Sequence, residues 1–193
     1  MIRLAGCVWA LWLCAGSAVF AASRDDTPNQ QEQGAKASEA EILQAVEAIN
    51  AARATVVEAL NKAPLGFRRI LFVKDVPEGF AAYTPRADSA FSADEPIIVY
   101  TEPIGVAWKK QGEEYASKLV VDFEIRTPDG QVLAGQKGFG EFELEAREPP
   151  LDYMSHIKLD VSGAPEGSYI LGITIHDTNS GKSASIDLPF EIK

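Results

Sequence analysis

Few side chains in this sequence are able to exchange protons, hold a metal or attack a carbonyl, and they are scattered. There are two histidines, His156 and His176. Both fall on the solvent-facing parity of apolar-alternating segments, so their rings become neighbours only if those segments pair as strands. A zinc or copper centre needs at least a third ligand at suitable spacing, for which Asp177 is the nearest candidate, and no histidine or cysteine motif supplies one. Both read as surface histidines, and no metal or other cofactor is expected. The loop Asp177-Thr178-Asn179-Ser180-Gly181 is rich in oxygen but lacks the further acidic ligands and closing glutamate of an EF-hand. Asn and Gly suit the positive dihedrals of a hairpin turn, which accounts for the loop.

Carboxylates are the remaining route to catalysis. Glu141, Glu143 and Glu145 alternate on one strand face about 7 Å apart by strand rise. Glycoside hydrolysis needs two carboxyls opposed across a cleft, whereas these line an exposed face and read as a solvated row. Glu102 differs, because it lies in an apolar segment between Tyr100 and Ile104. A carboxylate partly buried there needs a donor, and Arg86 or Lys109 is the expected partner. No serine sits in Gly-x-Ser-x-Gly, and Gly138-Phe139-Gly140 lacks the lysine and the strand-to-helix context of a phosphate loop. No catalytic residue is assigned, and the chain is not expected to be an enzyme.

Aromatic residues offer a binding chemistry instead. Tyr100, Trp108 and Tyr115 cluster in sequence around a hairpin-like end, Gly105 to Gly112. An exposed aromatic platform there stacks on sugar rings or anchors a peptide, while a buried Trp108 would plug the end of a β-sandwich. The plug is the expected arrangement, and the trio Tyr100, Trp108 and Tyr115 is the candidate binding surface in the alternative.

The elements that must carry these residues follow from the chain's organisation. Arg3, an uncharged stretch from Leu4 to Phe20 and small residues before Ala22 predict a cleavable secretory signal peptide over residues 1–21. The stretch is short for a bilayer span of about 20 residues, so no stable membrane insertion is expected after cleavage. Both cysteines, Cys7 and Cys14, leave with it, as do Trp9 and Trp12. Leu11-Trp12-Leu13 before Cys14 does not fit a lipidation site. The expected location is periplasmic or secreted, in a bacterium. The formal net charge of -10 disfavours nucleic acid and anionic membrane surfaces as partners, because phosphate neutralisation needs clustered Lys and Arg.

Residues 22–37 are polar and read as a disordered leader. Ser38 and Glu41 then form a capping box, and good helix formers run to Lys62, where Pro64 and Gly66 stop them, so residues 38–63 are an amphipathic helix. Its apolar stripe, Ile42, Val46, Ile49, Val56 and Leu60, keeps four-three spacing if Arg53 is an interruption of the seam. Such a stripe is expected to pack on the chain's own β domain, with self-association or another envelope protein as the alternative partner.

From Phe67 the period switches to two. Leu119, Val121, Phe123 and Ile125 face one way; Tyr153, Ile157, Leu159 and Val161 form a second inward row. Tyr169, Leu171, Ile173 and Ile175 form a third, and Ala184, Ile186, Leu188, Phe190 and Ile192 a fourth. With Arg69 to Val76, Pro96 to Thr101 and a strand after Gln131, about seven half-buried strands predict a mainly β, antiparallel, immunoglobulin-like β-sandwich over residues 67–193, preceded by the one α-helix.

Gly79, Tyr83, Phe91 and the run Glu95 to Pro103, together with Pro165-Glu166-Gly167-Ser168-Tyr169, Asp177, Gly181 to Ser185 and Leu188-Pro189-Phe190, resemble blocks of a family of exported bacterial proteins. That family ends in an immunoglobulin-like or macroglobulin-like sandwich. The resemblance implies a fold and carries no activity. The sequence therefore points to a non-enzymatic interaction module, with carbohydrate or peptide binding near Trp108 as the alternative and a hydrolase using Glu102 as a third.

Overall fold

The computed structural model describes residues 37–193, so the expected signal peptide and all but the end of the leader lie outside the described residues. Helix α1 spans Glu39–Lys62, with Glu39 and Glu41 in its first turn and Lys62 in its last, charges that oppose the helix dipole. The Ala63 amide still reaches back to the carbonyls of Ala59 and Leu60 before Pro64, which has no amide to donate, ends the ladder. Among the described residues no helix is long and apolar enough to cross a membrane.

Nine strands follow: β1 (Gly66–Val73), β2 (Ala90–Phe91), β3 (Ile97–Ile104), β4 (Lys109–Gln111), β5 (Glu114–Arg126), β6 (Val132–Ala146), β7 (Ser155–Leu159), β8 (Gly167–Asp177) and β9 (Ser183–Ile192). The two additions to the expected seven, β2 and β4, are only two and three residues long. One sheet has the order β1-β3-β7 and is antiparallel throughout. The other runs β2-β9-β8-β5, with β6 on the far side of β5 and the short β4 extending the near side; β2 alone is parallel to its neighbour. This is the immunoglobulin-like arrangement: the first strand, the next full strand and the fifth long one share a sheet, and a short early strand runs alongside the last. Tyr169 near the start of β8 donates its hydroxyl to the Pro165 carbonyl at 2.7 Å, a tyrosine corner.

The inward rows meet between the sheets. Leu119, Val121, Ile157, Leu159, Leu171, Ile173, Ile175 and Phe190 are all buried, and Phe72, Phe91, Tyr169 and Phe190 pack ring on ring at one end. Tyr153 departs from its expected row: β7 starts at Ser155, and Tyr153 lies in the loop before it.

Strand β3 is buried on both faces from Ile97 to Pro103. Its outward side is roofed by the segment after β1, where Tyr83 lies over Tyr100 with ring centroids 4.2 Å apart, beside Val73 and Ile98. Strand β6 forms the rim of the larger sheet. It carries a register shift opposite Val121 and Phe123 and a left-handed Gly138, followed by the exposed row Glu141, Glu143 and Glu145.

Candidate functional site

Helix α1 sits on the sandwich by its C-terminal end alone. Arg53 donates from Nη2 to the Pro149 carbonyl at 2.8 Å and pairs through Nε with Glu148 at 3.0 Å, while Val57 and Leu60 are half-buried beside it. These positions, at i, i+4 and i+7, form one face. Arg53 is therefore the anchor of the seam rather than its interruption, because its guanidinium satisfies a loop carbonyl while its stem covers apolar surface. Further along the same face, toward the N-terminus, no described residue covers the helix. Ile42, Val46 and Ile49 are 53%, 46% and 65% exposed, with Leu43 at 58% beside them, and no residue of α1 is fully buried. The expectation that the whole stripe packs on the β domain fails for this half.

The seated end forms one wall of a cleft. Just past the helix, Gly105 takes φ of 71°, and a Cβ built on it would lie 2.2 Å from the Pro64 carbonyl oxygen, so only glycine lets the two backbones cross here. The cleft beyond has a volume of about 330 Å³ and is walled by Val56, Leu60, Phe80, Trp108, Leu151 and Tyr153, with Glu102 and Arg68 among its polar lining. Trp108 is half-buried and meets Tyr153 edge to face at 6.1 Å. The Asp177 turn fixes its position. The buried Asp177 carboxylate accepts the Ala107 amide at 2.7 Å and the Ser180 hydroxyl at 2.8 Å, and Asn179 Nδ2 donates to the carbonyls of Ala107 and Ala116. The oxygen-rich loop thus holds the Trp108 segment through Asp177 Oδ2 and Asn179 Nδ2 and uses Asp177 Oδ1 to close its own turn.

Glu102 is 2% exposed. Its Oε1 accepts the Tyr100 hydroxyl at 2.8 Å and lies 3.7 Å from Arg69 Nε; its Oε2 lies 2.6 Å from Arg68 Nη2. The expected partners were Arg86 or Lys109. Instead, the register of β1 on β3 sets Arg69 opposite Glu102, and Arg86 turns away to pair with Glu95 under the Phe91 ring. Oε2 of Glu102 is closed off from solvent beneath its ion pair with Arg68. The Arg68 guanidinium is held between Glu102 and the Phe80 ring, 4.9 Å from its centroid.

The expected aromatic trio is not one surface. Tyr100 is fully buried; its hydroxyl also accepts the amide of Ala81, a residue at φ of 59°. Burial pushes its phenol up first, and the Glu102 carboxylate adds to this, against the Ala81 hydrogen bond. Tyr115 lies on the other flank of the helix, where it lines an open groove with Val57, Asn61 and Pro149 and has the Lys110 ammonium 5.9 Å from its ring centre. Only Trp108 faces the cleft. Tyr153, Leu151, Phe80 and Arg68 complete it, and sequence alone offered no signal for them, since their loops and strands meet only in the fold. Burial raises the Tyr153 phenol as well.

The two histidines lie in different sheets, His156 on β7 and His176 on β8, so they are not the neighbours that paired strands would have made them. His176 lies between Ser183 Oγ, 2.7 Å from Nδ1, and Asp122 Oδ2, 2.9 Å from Nε2. The order resembles a hydrolytic triad, but the three stand across adjacent strands of an open sheet face. Neither His176 nor Ser183 lines the groove beside them, which makes this a cross-strand polar ladder. Desolvation pushes the Asp122 carboxyl up, but the Gly138 amide at 2.7 Å and His176 outweigh it and hold the group below its ordinary value. Among Glu141, Glu143 and Glu145, the first two share Lys118, whose ammonium those two hydrogen bonds push up to about 12. Among the described residues, no three His, Cys, Asp or Glu side chains are grouped to hold a metal.

No protein-family model and no curated protein sequence matches this chain. Among solved structures, the C-terminal domain of Wzt is similar at 12% identity over 68% of this chain and 75% of that one, with a TM-score of 0.40. The CARDB domain of the PF1109 protein from Pyrococcus furiosus, in complex with di-metal ions, is similar at 12% identity over 69% and 96%, with a TM-score of 0.30. The strand order and tyrosine corner define the chain as an immunoglobulin-like β-sandwich carrying an N-terminal helix; neither likeness bears on the chemistry of the cleft.

Proposed function

We propose that this chain is a non-catalytic interaction module of the bacterial envelope, in which the sandwich is a rigid body and α1 is the arm that recruits a partner helix, a second copy of the chain first of all. One observation supports this reading: the helix face seated at Arg53, Val57 and Leu60 continues through Ile49, Val46 and Ile42, which are exposed and which no described residue covers. The overhang from Glu39 to Asn50 reaches about 18 Å at 1.5 Å per residue. The positions flanking its stripe, Leu43, Ala45 and Asn50, are uncharged, with Glu39 on the seam at the N-terminal end.

Magnitudes set how tight such pairing is. Covering the remaining half of Ile42, Leu43, Val46 and Ile49 returns about 4 kcal/mol per copy, against an association cost of about 4–15 kcal/mol. Two copies together return about 8 kcal/mol, so even the lowest cost leaves about 4 kcal/mol and self-association no tighter than about millimolar. The test is light-scattering mass of residues 22–193 across a hundredfold concentration range, beside the double variant Ile42→Asp and Ile49→Asp. A mass that rises with concentration and stays monomeric in the variant supports the reading. A concentration-independent monomer mass for both proteins removes the second copy as partner.

A further inference from the structure

The stripe of α1 runs into the cleft beside Trp108. Ile42, Ile49 and Val56 recur at seven-residue spacing and so stack along one side of the helix, and all three are exposed, Val56 at 44%. Val56 is also a wall of the cleft, with Leu60, Trp108 and Leu151 around it. A helix laid along the overhang therefore arrives at the cleft about 10 Å past Ile49, at 1.5 Å per residue. Ala45 and Ala52, three residues after Ile42 and Ile49, are exposed and carry no bulk to hold such a helix away.

Where the sandwich sits decides the direction of a second copy's helix. In a parallel pair the two Arg53 positions stand level, and the sandwiches seated there compete for one space, because packed helix axes are only about 8–10 Å apart. Glu39 would also face its own copy, a like-charge contact on the seam. An antiparallel pair sends the two sandwiches to opposite ends. With Ile49 facing Ile49, Ile42 of one copy stands opposite Val56 of the other, and Glu39 falls opposite the exposed Ala59.

Resting on the pairing proposed above, we infer that the occupant of the Trp108 cleft is the first helical turn of a second copy. The pair is antiparallel and two-fold symmetric, and each Ile42 enters the other copy's cleft against Val56, Trp108 and Leu151. The cleft, about 330 Å³, is open and apolar on these sides and admits an aliphatic side chain. Pairing gains more this way than from the overhangs alone, because Val56 is covered as well and each cleft exchanges water for a side chain packed on an indole. The same patch serves both copies, so the pair is closed and leaves no free end to recruit a third.

Residues 22–193 contain no tryptophan but Trp108 and no cysteine, so both can serve as reporters. The Trp108 indole N–H resonance should move over the same concentration range in which the light-scattering mass rises, and stay fixed in Ile42→Asp. Val56→Asp, at an exposed helix position, should raise the dissociation constant at least about tenfold, because the new carboxylate would be buried unpaired at the cleft. Under mild oxidation the double variant Ile42→Cys with Val56→Cys should form a covalent dimer that neither single variant forms. A rising mass with the Trp108 resonance fixed, an unchanged dissociation constant in Val56→Asp, no cross-link in the double variant, or a cross-link through Ile42→Cys alone overturns the inference and leaves the helix reading standing. A mass that never rises removes both.

Discussion

Tyr100→Phe removes a single oxygen, and the structure says what depends on it. That oxygen donates to Glu102 Oε1 at 2.8 Å and accepts from the Ala81 amide at 2.9 Å. Losing a hydrogen bond to a buried charged group costs about 1.5–3 kcal/mol, whereas the Ala81 amide lies in an exposed turn where water takes over. Ring packing against Tyr83 is retained. The expected loss at pH 7 is therefore about 2 kcal/mol, measured as a shift in urea midpoint at constant slope.

The same residue also sets a pH dependence. The Tyr100 phenol is raised in the folded state by burial and then by Glu102, so its contribution is fully present below the unfolded value near 10 and is lost as pH climbs toward the folded value. Over that interval the unfolded chain has released a proton that the folded chain keeps. Wild type then loses about 1.4 kcal/mol per pH unit on account of this group, and the variant does not. The gap between them should narrow from pH 10 to 11. A loss under about 0.5 kcal/mol at pH 7, or a gap that stays constant through pH 11, refutes the account of Glu102 as a carboxylate held by Tyr100.

Two further substitutions test how the cleft and the outer face are held. Gly105→Ala places a Cβ where the chain turns left-handed and 2.2 Å from the Pro64 carbonyl oxygen, so a loss of about 2–4 kcal/mol in chemical denaturation is expected, together with release of the helix end, seen as a shift of the Trp108 indole resonance. A loss below about 1 kcal/mol would mean that the two backbones do not cross as described. Asp122→Asn, on the face with His176, targets a carboxyl whose folded value is depressed by the Gly138 amide and His176 against desolvation. Its contribution is present above about pH 4, the ordinary carboxylate value, and lost as pH falls through the lower folded value. The variant should be less stable at pH 7 and lose less than wild type between pH 4 and 2, which parallel acid unfolding curves would contradict.

How far the sequence reached depended on how each element is wetted. Strands β5, β8 and β9 alternate because one face meets water, so Leu119, Leu171 and Ile186 could each be assigned a side from parity alone. Strand β3 has no such alternation: Tyr83 and its neighbours roof the outward face, and Tyr100, which closeness to Trp108 in sequence made a candidate for a binding surface, is buried beneath them. The helix was legible as a helix and as a stripe, but not where it sits, since that depends on the Pro149 carbonyl 96 residues away capturing Arg53. The partners of Glu102 were hidden for the same reason. Arg68 and Arg69 reach it only through the register of two strands whose pairing no local pattern encodes. Two histidines that looked alike in sequence ended in separate sheets, because strand order is set by long-range packing.

The rim strand β6 bears on how copies of this molecule meet. A sheet edge presents unsatisfied amides and carbonyls along its length, which is an invitation to a neighbouring chain. Two such rims laid against each other in opposite directions would bring the Glu141, Glu143 and Glu145 rows face to face within about 5 Å, and the left-handed Gly138 would break the ladder at the point where it must be continuous. Lys118 offsets only part of that charge. Edge-to-edge pairing through β6 is thereby disfavoured, so one route to runaway assembly is closed on a molecule whose helix displays apolar side chains.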